Sequence, residues 1–131
     1  MIYFVGAGSG AIDLITVKGK DLLERADLIG YAKNECVIMD SASMTLEEVI
    51  DAMVPATEAG KLVVRLHTGD PSVYGAHREQ MDILRKKGLD FEVVPGVSSF
   101  CAAAAALKAE YTLPNVSQSV IITRMEGRTP V

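Results

Sequence analysis

The chain has 131 residues, enough for one domain with a real core, and it is 49% hydrophobic against 23% charged, which excludes a disordered polymer. The formal net charge is −4 and the Lys and Arg residues are scattered, which excludes a general nucleic-acid binder with its basic face. The two cysteines, Cys36 and Cys101, show no metal-ligand spacing and no apolar stretch spans a membrane, so no metal, no disulfide framework and no membrane are expected.

In chain order, residues 1–5 are apolar and β-prone and run straight into GAGSG, as a buried parallel strand does when helices cover both its faces. No basic leader precedes that strand, and a reducing cytoplasm is the default location. Leu22, Leu23 and Ala26 then recur at helical spacing, and residues 27–31 read as a second strand. Thr45 and Glu48 form a capping box that opens a helix with the apolar stripe Leu46, Val49, Ile50 and Met53. Gly60 should end that helix, and Pro55 should kink or shorten it.

Residues 61–66 read as a third strand. A helix is expected from about Tyr74 to Lys87, with Met81 and Leu84 inward and Gly88 as its stop. The basic run Arg85, Lys86, Lys87 then complements the helix dipole rather than forming a binding patch. Residues 91–94 form a fourth strand, Ser98 or Ser99 caps a helix with an unbroken alanine centre, and residues 120–123 read as a fifth strand. The alternation predicts an α/β fold: a parallel, about five-stranded sheet with helices on both faces.

Three segments of unusual composition fall at the carboxyl ends of these strands: GAGSG, HTGDPS and PGVSSF. Ligands of open parallel sheets bind beyond those ends, and glycine lets a ligand approach the main chain. Taken alone, the first loop formally satisfies a dinucleotide fingerprint, GxGxxA. Residues 12–15 intervene before the helix, however, and strand two ends without a carboxylate, so a nicotinamide-binding domain is the less favoured alternative.

Together, GAGSG, LITVKG, VVRLHTGDPSVYG and VVPGVSSFCAAAAAL resemble the tetrapyrrole (corrin/porphyrin) methyltransferases, whose loops usually read GxGPGD, LTxKG, RLxxGDP and VPGxS. Within the family, DSASMT, LHTGDPSVYGAHREQ and SQSVIITRMEGRTP are similar to the branch acting at C11 of precorrin-4 or cobalt-precorrin-4. The resemblance runs along essentially the whole chain. Two departures stand out: Ser9 replaces the usual proline, with Ala11 and Ile12 near the usual acidic position, and the connection from residue 29 to 31 is shorter than in the family.

The resemblance implies the amino-terminal domain of the tetrapyrrole methylase fold over residues 1–124, with 125–131 opening a linker to a second α/β domain. It implies S-adenosylmethionine as methyl donor, S-adenosylhomocysteine as product, a tetrapyrrole substrate, a homodimer and a role in cobalamin biosynthesis, with this chain carrying half of the site. Thr68, Gly69, Asp70, Val73, Ser98 and Ser99 would contact the cofactor; Gly6, Gly8, Gly10 and Tyr74 would line the substrate trough. His67 is the one candidate acid or base, with His77 a weaker one inside the helix, and Arg65, Arg124 and Arg128 are possible partners for substrate carboxylates. The Asp70–Pro71–Ser72 run alone would be read as a helix cap and turn; alongside the other two loops it reads as a binding loop. A non-catalytic α/β domain serving as an interaction or dimerisation module remains the alternative from another class.

Overall fold

The computed structural model describes residues 1–28 and 36–125. The end of the second expected strand (29–31), Arg128 and almost all of the expected linker (126–131) lie outside the described residues. The chain forms two compact units, Met1–Ser99 and Phe100–Val131.

The first unit is built on a parallel sheet of β1 (Ile2–Gly6), β2 (Val63–His67) and β3 (Phe91–Val94), with β1 in the middle. Ile2 pairs with Val63 on one side and Phe91 on the other, and Val5 with Leu66 and Val94. Alternation along β1 sends its side chains into two separate cores. Ile2 and Phe4 pack with Val63, with Val49, Ile50, Met53 and Val54 of α2 (Leu46–Glu58), and with Leu84 of α3 (Arg78–Lys86). Val5 packs with Val64, Val94 and with Leu22 and Leu23 of α1 (Val17–Arg25). Helices therefore cover both faces, as the pattern of apolar runs requires.

The sheet is narrower than the five strands expected: among the described residues three strands form. Leu28, from the second expected strand, makes isolated parallel bridges to Val63 and Val37. Asp27 fixes that approach, its carboxylate accepting from the Leu62 amide at 2.9 Å.

The helix ends follow their signals. Thr45 and Glu48 make both halves of the capping box, at 3.2 and 2.7 Å. Gly60 and Gly88 take positive φ, and the amides of Lys61 and Leu89 reach back to the carbonyls of Ala56 and Leu84 at 3.0 Å each. This is the Schellman closure that glycine makes inexpensive. Pro55 does not shorten α2, which continues to Glu58, since only its own missing amide is lost so near the helix end.

In the second unit, α4 (Ser99–Leu107) carries the alanine run and buries none of its residues. It closes with the same two hydrogen bonds, Lys108 to Ala105 and Ala109 to Ala104, but with a lysine at φ 52° where α2 and α3 use glycine. Tyr111 Oη donates to the Phe100 carbonyl at 2.6 Å, and Leu113 and Ser117 bridge across a turn. The strand expected at residues 120–123 does not form: Val120, Ile121 and Ile122 are exposed and lie in no strand. A β-prone run becomes a strand only against a neighbouring ladder, and the described residues of the second unit form no strand.

Candidate functional site

The carboxyl ends of β1, β2 and β3 meet through glycine backbone. The Gly6 α-carbon faces the main chain of both following loops: a Cβ placed there would lie 2.6 Å from Gly96 N and 2.7 Å from the Gly69 carbonyl. A Cβ on Gly96 would press into the same Gly69 carbonyl and sit 2.8 Å from Gly6 Cα. Three chain segments thus touch where neither Gly6 nor Gly96 has room for a side chain, and Gly69 between them holds a positive φ of 65°. Hydrogen bonds hold the contact, with Gly69 N donating to Gly8 O at 2.7 Å, Gly8 N to Gly69 O at 3.2 Å and Ala7 N to His67 O at 2.7 Å.

Asp70 fastens the third segment. One carboxylate oxygen accepts from Ser72 N at 2.8 Å, and the other accepts from Gly96 N at 2.9 Å. Burial alone would raise its pKa. The amides of Gly96 and Ser72, the Ser72 hydroxyl and the charge on His77 outweigh burial and hold the carboxyl below its usual range. The Asx turn expected of Asp70–Pro71–Ser72 is present, yet the bond to Gly96 makes the residue a tie between two strand-end loops.

The positions named from the sequence divide between floor and rim. Gly6, Gly8, Gly69 and Gly96 belong to the junction. Ser98 is buried beside it, with its Cα 3.8 Å from where a Cβ on Gly69 would point, while Thr68 and Ser99 are exposed and Val73 half-buried. Gly10 has φ +108° and open space around its α-carbon, and Tyr74, 56% exposed, adopts a left-handed φ of 54°. Ala76 does likewise, so the helix expected from Tyr74 begins only at Arg78. Between them the Gly75 α-carbon faces the Pro71 carbonyl and the His77 ring so closely that a Cβ there would clash.

The lip formed by residues 9–14 is of another character. Ser9, Gly10, Ala11, Ile12, Asp13 and Leu14 are all exposed, Ile12 at 84%.

Beneath the 68–76 loop lies a group of polar side chains that the motif comparison did not single out as a unit. His67 and His77 lie with ring centroids 4.7 Å apart and ring planes tilted by 50°, and both stack on Phe4, at 6.2 and 5.2 Å. Burial, reinforced by the charges of Arg65 and His77, pushes the His67 pKa down to about 4. Its Nε2 is shut off from solvent, which removes it from direct contact with a ligand above the strand ends. Arg65 lies on the same strand face two residues earlier, and burial lowers its pKa as well. Arg124 is half-buried in the second unit. Among the described residues no cluster of His, Cys, Asp and Glu could hold a metal, and no helix is long and apolar enough to cross a membrane.

The junction, the Asp70 tie and the histidine pair could not be read from spacing, because each joins residues from distant segments. The available signal was that glycines end β1 and open the two later loops.

The profile of the Tetrapyrrole (Corrin/Porphyrin) Methylases matches residues 1–130. The cobalt-precorrin-4 C(11)-methyltransferase of Methanocaldococcus jannaschii is 56% identical over 99% of this chain and 55% of its own length. Among solved structures, a cobalamin biosynthetic enzyme, cobalt precorrin-4 methyltransferase, superposes with a TM-score of 0.92 at 48% identity, covering 99% of this chain and 59% of that one. The uroporphyrin-III C-methyltransferase of Thermus thermophilus complexed with S-adenosyl homocysteine gives a TM-score of 0.67 at 30% identity, over 79% of this chain and 51% of that one. The chain thus spans a little over half the length of the curated relative it matches.

Proposed function

Since this chain belongs to the tetrapyrrole (corrin/porphyrin) methylase family, we propose that it supplies the amino-terminal half of an active site that methylates C11 of precorrin-4 or cobalt-precorrin-4 in cobalamin biosynthesis. The methyl donor is S-adenosylmethionine, whose sulfonium is already activated: the carbon–methyl bond forms as the sulfur–methyl bond breaks, and the electron pair stays on sulfur. What remains for the protein is to align donor and acceptor and to keep water away.

The observation that carries this reading is the glycine junction tied by Asp70. It brings the glycine main chain of three segments together at the carboxyl ends of three parallel strands, where α/β sheets receive ligands. Thr68, Gly69, Asp70, Val73, Ser98 and Ser99 hold the cofactor. Gly69 admits it close to the backbone, and Asp70 keeps its loop and that of Gly96 in fixed relation. Gly6, Gly8, Gly10 and Tyr74 line the substrate side. Ile12 and its neighbours present an apolar surface suited to the flat face of a macrocycle. The whole enzyme works as a homodimer in the cytoplasm.

Calorimetric titration with S-adenosylhomocysteine and, separately, NAD tests this function. Binding of S-adenosylhomocysteine that is lost in Asp70→Ala is the expected result. Binding of NAD alone would overturn it, and binding of neither would favour a non-catalytic interaction module.

A further inference from the structure

We propose that His67 and His77 are positioning residues, a pair of imidazoles that props the 68–76 loop from below and lets it go when His67 takes up a proton. The inference rests on the cofactor reading only for its consequence; the device itself stands on packing.

His77 is 6% exposed and closes the loop at the first residue before α3. The loop is moulded around it: the Gly75 α-carbon faces its Nδ1 and Cε1 so closely that no side chain fits between, and Pro71 behind it is fully buried. On the other side both imidazoles stack on Phe4 and lie tilted against each other, with Phe91 edge-on to Phe4 at 5.7 Å. The loop thus rests on His77, His77 rests on His67 and Phe4, and the whole rests on the sheet.

No carboxylate is set against His67. The charged groups facing the pair are Arg65 from the same face of β2 and Asp70 from the loop. Asp70 has both oxygens committed to the amides of Ser72 and Gly96. From β1 and β3 the neighbours are the rings of Phe4 and Phe91, and from α3 the neutral Gln80, while Arg78 and Glu79 are exposed. His67 Nε2, His77 Nδ1, Gln80 Oε1 and Arg65 Nε are buried without a hydrogen-bond partner among the described residues. A proton on His67 therefore adds charge beside a guanidinium and a second imidazole in a poorly solvated place. Separation of the rings relieves it, and that withdraws the support under Pro71, Gly75 and Asp70.

The sign is definite. The folded pKa of His67, about 4, lies below its ordinary 6.5, so the unfolded or opened form binds the extra proton between these values. The prop is fully effective above that window and weakens as pH falls through it.

The chain contains two histidines, so an NMR titration of imidazole signals can be assigned with one variant, His67→Gln. The expected result is that His67 titrates near 4 and that the amide signals of Gly69, Gly75 and Gly96 shift with the same midpoint. In His67→Gln those amide shifts should vanish from the window. Titration of His67 near its ordinary 6.5, or glycine amides that ignore it, would overturn the inference from the wild-type data alone, even if the variant fails to fold. S-adenosylhomocysteine added near neutral pH separates the two readings. Glycine shifts without binding would leave the prop and remove the cofactor; binding without glycine shifts would do the reverse.

Discussion

The two halves of the strand-end region, the glycine junction and the lip at residues 9–14, are built on opposite terms. In the junction, three main chains come together so closely that a methyl group on Gly6 or Gly96 has nowhere to go. In the lip, Gly10 has nothing within 4 Å of its missing Cβ and Ile12 stands 84% exposed. Glycines four residues apart in one motif thus answer to different constraints: packing at Gly6, backbone conformation at Gly10. The floor of such a site is fixed by the fold, while its lip is open to change, and that is where Ser9, Ala11 and Ile12 depart from the family's usual residues.

Gly96→Ala should break the floor. Its Cβ would press on the Gly69 carbonyl and Gly6 Cα, atoms that yield only if strands move apart. Overpacking against backbone costs about 3 kcal/mol or more, measured as a lowered urea midpoint with unchanged m-value. Asp70→Asn comes next. An amide can replace one acceptor of the pair holding Ser72 N and Gly96 N, and the loss of the other should cost about 1–2 kcal/mol. The wild-type carboxyl has a depressed folded pKa, so its contribution is present above the ordinary carboxyl range and lost as pH falls through the folded value. The variant should lack that part of the acid-side slope in a melting-temperature profile, and an unchanged slope would show that the tie to Gly96 carries no weight.

At the lip, Gly10→Ala should cost about 1 kcal/mol, from the positive φ of 108° alone and not from contact. A larger loss would mean that the lip is packed after all. Smallest is Ile12→Ser, which should leave the unfolding midpoint within about 0.5 kcal/mol of wild type. If Ile12 faces the macrocycle, the same change should weaken tetrapyrrole binding while S-adenosylhomocysteine binding stays as it was.

Much of this was legible in one dimension because its causes are local. The capping box at Thr45 and Glu48, the glycine stops at positions 60 and 88 and the covered strand at residues 1–5 each depend on a few consecutive residues. The misreadings have non-local causes. Tyr74, Gly75 and Ala76 look compatible with a helix start until Gly75 meets His77 and Pro71. Residues 120–123 carry the side chains of a strand but find no strand to pair with among the described residues of their unit. Likewise Asp70 has the pattern of a turn residue, and nothing in the sequence says that its second oxygen reaches Gly96. The loops could be located from composition; the bonds that make them a single platform could not.

The order of the three glycines along the chain also governs when the platform can exist. Gly6 leaves the ribosome early, Gly69 much later and Gly96 last, and the junction needs all three. Each closure spans a long stretch of chain and must bear its loop entropy before any contact rewards it. A nascent chain that has made β1 and β2 already owns two walls of the sheet but no floor. The binding surface is complete only once β3 pairs with β1 and Asp70 holds the Gly96 amide. Any ligand that grips this floor therefore reports on completed folding of residues 1–99 rather than on an intermediate.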